Sequence, residues 1–246
     1  MSTLRLARFL ARSGAASRRG AADLVKAGRV RINGRPATGP GDPVDPDRDA
    51  VTVDGRPVRL ASTVWLALHK PTGYVTSRRG LPKWPSVFDL VPGADPALVA
   101  VGRLDVMTEG LLLLTTDGEL AARLMHPSYG VPRTYRVSVT GELGRAAREA
   151  LDHGVALEEG PVRPLAWHWA PAIRGGVLEL TLGEGRRRVV RRLCAALGLG
   201  VRSLVRTAYG PVQLGRLSGG AARPLSPKEV SAVYRAVRLE PPEATT

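Results

Sequence analysis

The sequence predicts an α+β protein of two domains, and three observations carry that prediction. Residues 1–60 hold helix-period apolar spacing followed at once by hairpin signals. Later segments alternate apolar and polar residues with a period of two, while the unbroken apolar run from Leu111 to Leu114 marks a strand buried on both faces. At 246 residues the chain can bury a sizeable core, and its length favours one large domain plus a small one.

The elements follow in order. Leu6, Phe9 and Leu10 have helical spacing and Gly14 offers a stop; Ser17 then caps a second helix carrying Ala21, Leu24 and Val25, ended by Gly28. Val30 and Ile32 alternate with Arg29 and Arg31 up to Asn33-Gly34, a favoured two-residue hairpin turn, and a short strand with Val51 and Val53 ends at Asp54-Gly55. A polar connector covers Arg56 to Thr63, and Val64 to Leu68 reads as a strand leading into His69-Lys70-Pro71-Thr72-Gly73, where proline and glycine enforce a turn. Segment 76–98 is proline-broken loop with a short buried patch at Val87, Phe88 and Leu90. Leu120, Leu124 and Met125 predict a helix after Asp117-Gly118, and Tyr135 to Val139 a half-buried strand. Further strands are expected at Val155 to Leu157, Val177 to Leu182 and Val201 to Val205, with a helix from about Val189 to Leu197. The tail 239–246, rich in proline and acid, is expected to be disordered.

Charge bounds the function. A formal net charge of +14 points to a polyanionic partner, nucleic acid or ribosome rather than membrane, because no lipid-inserting aromatic or long apolar segment accompanies it. Between Arg5 and Arg35 the cations Arg5, Arg8, Arg12, Arg18, Arg19, Lys26, Arg29, Arg31 and Arg35 face one acid, Asp23, before the acidic loop Asp42 to Asp49. Such segregation builds a positive face able to displace counterions from a phosphate backbone. The single cysteine, Cys194, can form no internal disulfide and sits in an apolar pattern, so it reads as core packing in a reducing cytoplasm.

The chemistry concentrates in Gly102-Arg103-Leu104-Asp105, which precedes the buried run. A carboxylate where a loop meets a buried strand is well placed to react; an aspartate beside a glycine is also an ordinary turn former. Asp117-Gly118 already supplies a turn at the far end of the run, which leaves the reactive reading open. A second constellation, Gly183-Glu184-Gly185-Arg186-Arg187-Arg188-Val189-Val190-Arg191-Arg192, sets arginines in a glycine-rich loop entering a helix, where phosphates can be held.

Two resemblances follow from these strings. The run from Arg5-Leu6 through Ser17-Arg18-Arg19 to Gly28-Arg29-Val30-Arg31-Ile32-Asn33-Gly34 resembles the S4-type RNA-binding domain, over residues 1–60. Gly102 to Asp105 continuing through Thr108, Gly110 and Leu111, then Pro132-Arg133-Thr134-Tyr135, then Glu184 to Leu193, resemble in that order the pseudouridine synthases of the RsuA/RluB branch. This second resemblance implies a pseudouridine synthase domain over residues 61–238, with a mixed, mainly antiparallel sheet, flanking helices and a central cleft. It matches Asp105 to the catalytic aspartate, Tyr135 to the tyrosine against the target base and Arg191 to the arginine that pairs with the aspartate. Arg103 falls where the target nucleotide is held out of its stack, and Lys70 and Arg206 are expected phosphate contacts in the substrate cleft. RNA contacts are expected from Arg5, Arg8, Ser17, Arg18, Arg19, Arg29, Arg31 and Asn33, and from Arg186, Arg188 and Arg192. The chain departs from the family in having Val189 where glutamine is common and Arg187 where asparagine or tyrosine is frequent.

The implied reaction detaches uracil N1 from ribose C1′, turns the base and joins C1′ to C5. Nothing is oxidised or reduced, so no cofactor or metal is expected, and His69, His126, His153 and His168 lack metal-ligand spacing. An aspartate can attack the sugar carbon or take the C2′ proton, and both routes remain open. The expected partner is ribosomal RNA, free or in a pre-ribosomal particle, met by a monomer. Leu124-Met125-His126-Pro127-Ser128 favours 23S rRNA, as in RluB-like members, over 16S. A non-catalytic ribosome-assembly factor and a DNA-binding regulator are the competing classes.

Overall fold

The computed structural model describes residues 3–60 and 63–240, with Arg18 described by its backbone alone. It divides into two compact units, one of Met1–Val64, Gly93–Val99 and Thr115–Gly118, the other of Trp65–Pro92, Ala100–Leu114 and Glu119–Thr246.

The first unit contains β1 (Leu4–Arg5), α1 (Leu6–Arg12), α2 (Arg18–Lys26), β2 (Val30–Ile32), β3 (Arg35–Pro36), β4 (Pro43–Val44), β5 (Val51–Val53) and β6 (Arg56–Val58). Leu6, Phe9 and Leu10 are buried with Ala21, Val25, Val30, Val44 and Val51, so both helices turn their apolar stripe onto the small sheet β3-β2-β5-β6. Ser17 caps α2 by accepting the Gly20 N–H at 3.0 Å. Asn33-Gly34 and Asp54-Gly55 all have positive φ, the geometry of hairpin turns whose twist matches the flanking strands. Arg56–Val58 pairs with β5, so the expected connector is shorter than its composition suggested; residues 61 and 62 lie outside the described residues.

The second unit is built on a nine-stranded sheet whose main path runs β11-β12-β10-β13-β9-β7-β15. Its strands are β7 (Trp65–Lys70), β8 (Val99–Ala100), β9 (Glu109–Thr115), β10 (Arg133–Thr140), β11 (Ala166–Ala172), β12 (Gly175–Leu182), β13 (Gly200–Tyr209), β14 (Val212–Gln213) and β15 (Ala222–Pro224). The helices are α3 (Gly118–Met125), α4 (Arg145–His153), α5 (Val189–Ala196) and α6 (Pro227–Ala236). β13 is antiparallel to β10 and parallel to β9, which makes the sheet mixed and mainly antiparallel as expected. Leu111 to Leu114 are all fully buried. Leu111 and Leu113 join one core with Leu120, Leu124, Val233 and Tyr234, whereas Tyr135, Val137 and Leu180 pack in another with Val190, Leu193 and Cys194. Burial pushes the Cys194 thiol up to about 12, in keeping with a packing role.

Three expectations change. Val155 to Leu157 is not a strand; it contributes a single bridge, Val155 to Val162. The edge strand β11 and the helices α4 and α6 were not anticipated. Leu239 packs against the core and its N–H bonds the Tyr234 carbonyl at 3.0 Å, so the ordered chain runs past the expected start of the tail; 241–246 lie outside the described residues.

Candidate active site

Strand β7 ends at Lys70, and Pro71-Thr72-Gly73 turn the chain back beside the loop that carries Asp105. Lys70 is fully buried. Its Nζ donates to the carbonyls of Pro71 (3.0 Å), Asp105 (3.1 Å), Val106 (3.3 Å) and Thr108 (2.8 Å). One ammonium with three protons thus gathers four carbonyls, three of them from the Asp105 loop. Burial pushes the Lys70 pKa down to about 8, against the pull of the Asp105 and Glu109 carboxylates, and Arg206 lowers it further. Thr76 Oγ1 donates to the Leu104 carbonyl at 3.0 Å and accepts the Leu104 N–H at 3.2 Å. Gly73 N–H reaches the Val106 carbonyl at 3.0 Å, and Thr108 N–H closes onto Asp105 O at 2.9 Å. The backbone on both sides of Asp105 is therefore fixed before any ligand arrives.

The Asp105 side chain is 38% exposed, and Arg188 Nη1 stands 3.8 Å from its Oδ2. Arg188 caps α5 with φ +54, a left-handed conformation uncommon for a residue bearing a β-carbon and the kind of outlier found at functional sites. At this exposure the pair contributes little stability, on the order of 0–1 kcal/mol, so its value lies in orientation. Arg191, one helical turn on, sends Nη2 to the Met107 carbonyl at 2.6 Å. The guanidinium facing the carboxylate is thus that of Arg188, which the sequence had placed among general RNA contacts, while Arg191 braces the loop's backbone. The Met107 carbonyl, two residues past Asp105, takes one donor of Arg191, while the buried Arg191 Nε has no hydrogen-bond partner among the described residues.

Tyr135 lies in β10 opposite Leu180 of β12 and Arg206 of β13; its ring is buried and its hydroxyl makes no hydrogen bond among the described residues. Arg103 is exposed beside Gly102. The expectation that Lys70 and Arg206 touch phosphate is corrected, since neither reaches the surface. Arg206 Nε is bonded to Leu111 O at 2.8 Å, and its guanidinium, like that of Arg133, packs 4.9 Å from the Tyr209 ring centroid. Both Lys70 and Arg206 hold the framework under the loop.

The remaining arginines of the second constellation divide. Arg186 is saturated by Glu184 (2.5 and 2.8 Å) and by the carbonyls of Glu159, Gly160 and Pro161, so it clamps a loop rather than offering a free fork. Arg192 pairs with Glu159. In the N-terminal unit Ser17 is spent as a cap, Asn33 on Asp49 and the Ala50 N–H, and Arg29 on Asp54. Arg5, Arg19 and Arg31 are exposed, Arg8 is partly buried, and the Arg18 side chain lies outside the described residues. Sequence reasoning missed Thr76 and Glu109, which holds His69 Nε2 at 2.8 Å. The turn signal at Pro71 and Gly73 pointed to their region, yet their partners lie about thirty to forty residues away.

Comparison with known proteins follows the same division. Residues 4–49 match the S4 domain and residues 64–196 match the family described as RNA pseudouridylate synthase. An RNA pseudouridine synthase of Mycobacterium bovis is 44% identical over 96% of this chain and 95% of its own. Proteins named ribosomal large subunit pseudouridine synthase B are 41% identical in Pseudomonas aeruginosa, over 96% of this chain and 63% of theirs, and 37% identical in Bacillus subtilis, over 92% and 93%. A crystal structure of a pseudouridylate synthase superposes with a TM-score of 0.65 at 28% identity, covering 94% of this chain and 99% of that one.

Proposed function

The chain belongs to the RNA pseudouridylate synthase family, in its RsuA/RluB branch, and we propose that it isomerises one uridine of 23S ribosomal RNA with Asp105 as the catalytic carboxylate. The reading rests on one observation: Asp105 is a partly exposed carboxylate on a loop whose flanking carbonyls are pinned by a buried ammonium. Such a carboxylate needs no reorganisation when a reacting sugar arrives. The large-subunit substrate is supported by the named relatives in Pseudomonas aeruginosa and Bacillus subtilis.

In this reading a uridine leaves its stack to reach Asp105, and Tyr135 packs against the base. The bond from C1′ to N1 breaks, the uracil turns, and a bond from C1′ to C5 forms; the C5 proton is lost to solvent and N1 takes one up. The carboxylate either attacks C1′ or removes the C2′ proton, and is regenerated in both cases. Arg188 aims the carboxylate, Arg191 holds the loop, and Arg103 lies where a displaced nucleotide could be held. The S4 domain contributes affinity and register through phosphates. The enzyme acts as a monomer.

Mapping pseudouridines in both ribosomal RNAs, with and without the gene, tests the proposal. The expected result is one position lost from 23S rRNA, restored by the wild-type chain and not by Asp105→Asn. A missing position in 16S rRNA would overturn the substrate, and an unchanged map would overturn the reaction.

A further inference from the structure

Seven large apolar side chains stand exposed among the described residues; three of them, Trp84 at 37%, Met107 at 58% and Met125 at 42%, adjoin the Asp105 loop or the turn bonded to it, and a fourth, Leu81 at 56%, pairs with Trp84. Met107 lies two residues past Asp105, and Met125 Sδ accepts the Gly102 N–H at 2.9 Å. Trp84 covers Gly73, with ring atoms 3.8 and 4.0 Å from where a β-carbon would stand, and Gly73 is the residue bonded to the Val106 carbonyl. Exposed apolar surface carries a hydration cost, and its grouping around one loop marks an interaction site rather than scatter.

Leu81 and Trp84 face each other across the two-residue turn Pro82-Lys83, with both backbone bonds made at 2.8 and 2.9 Å. The base of this hairpin is closed by Val75 N–H to Pro85 O (2.9 Å), Val87 N–H to Val75 O (3.0 Å) and Ser86 Oγ to Ser77 O (2.5 Å). A partner therefore meets a preformed surface and pays little for ordering it. Residues 77–85 carry Arg78, Arg79 and Lys83 and no acid. An exposed indole among cations suits a nucleobase, because every base has a π-face and its phosphate meets the positive charge; lysine is depleted at protein–protein contacts.

We propose that the hairpin 77–85 is a stacking platform for an unpaired base of the substrate RNA next to the reacting uridine, with Trp84 and Leu81 as its apolar face and Arg79 and Lys83 as phosphate contacts. It adds a reading element to the active site and rests on that site acting on RNA.

The test is titration of the full chain with a 23S rRNA fragment, for the wild type, Trp84→Ala, Leu81→Ala and Trp84→Phe, with thermal melts alongside. Trp84→Ala weakens RNA affinity roughly five- to tenfold, the lower range for one half-covered stacking contact. Trp84→Phe retains most of the affinity but loses the share of the tryptophan quenching on adding RNA that Trp84 contributes beside Trp65, Trp167 and Trp169. Wild-type affinity in Trp84→Ala, or quenching in Trp84→Phe undiminished from wild type, overturns the proposal, as does a loss of binding to a ribosomal protein with RNA affinity intact. A platform that binds RNA in a chain forming no pseudouridine would refute the isomerase reading and leave this one standing.

Discussion

At the scale of the residue, Lys70 decides how firmly Asp105 is held. An ammonium among four carbonyls works only while it is charged, and burial has brought its pKa down to about 8. Turnover is therefore expected to fall about tenfold per pH unit above that value, as a neutral amine loses one donor and the charge that attracts the carbonyls. Stability moves the other way. The unfolded lysine keeps its ordinary 10.5, so between about 8 and 10.5 the unfolded chain binds more protons, and this group's burial penalty, about 3 kcal/mol, is relieved as pH rises. A rate profile beside a melting profile separates the two, and Lys70→Met should give a lower but flat rate across that window. A wild-type rate that stays level to pH 9.5 would remove Lys70 from the mechanism. Asp105→Asn should reduce product to background with RNA affinity unchanged within about twofold, measured by filter binding; this follows if the carboxylate acts on the sugar rather than in binding. The aspartate was legible because local residues announce it: glycines for the turn and a buried run behind it. The lysine's true role was not, since a buried cation and a phosphate-binding one look alike until the carbonyls thirty-five residues away are in place.

At the scale of the element, the loop and strand β9 meet β13 at a point where only glycine fits. Gly110 has φ +113, and a β-carbon there would lie 2.4 Å from Arg206 O and 2.5 Å from Arg206 N. Backbone cannot yield as a flexible side chain does, so Gly110→Ala is expected to cost about 3 kcal/mol or more and lower the melting temperature by roughly 10 °C. Gly28 has φ +68 but nothing within 4 Å, so Gly28→Ala isolates the conformational part at about 1–2 kcal/mol. Equal melting shifts for the two would show that the crossing of β9 and β13 imposes no steric demand at Gly110. Elements with strong periodicity were readable: β9, β10, β12, α3 and α5 appear where the pattern put them. Two of those that were missed, α4 and β11, bury little. α4 has one buried residue, Leu151, and β11 is an edge strand with Pro171 in it, a residue that argues against a central strand. For α6 the signal existed in Ser226-Pro227-Lys228-Glu229, a capping box with proline at the first turn, which the structure realises.

At the scale of the whole molecule, the charge surplus belongs to both halves of the sequence. The first sixty residues carry twelve Lys and Arg against six acids, and the remainder twenty-four against sixteen. A polyanion held only by the S4 domain would leave the second surplus without a purpose, so phosphates are expected along both. Where the cations are already paired, as Arg29 with Asp54 and Arg186 with Glu184, they neutralise protein rather than RNA and release no counterions. Arg5, Arg19 and Arg31 are exposed and, beside the exposed Lys26, Arg35, Arg56 and Arg59, are in a position to do so. Each phosphate neutralised contributes about 0.7 to the slope of log affinity against log salt on single-stranded RNA. Replacing Arg5, Arg19 and Arg31 by glutamine should therefore make that slope shallower by about 2, and weaken binding most at low salt, while the rate at saturating RNA is retained. An unchanged slope would mean that these three cations are ordinary solvated surface and neutralise no phosphate.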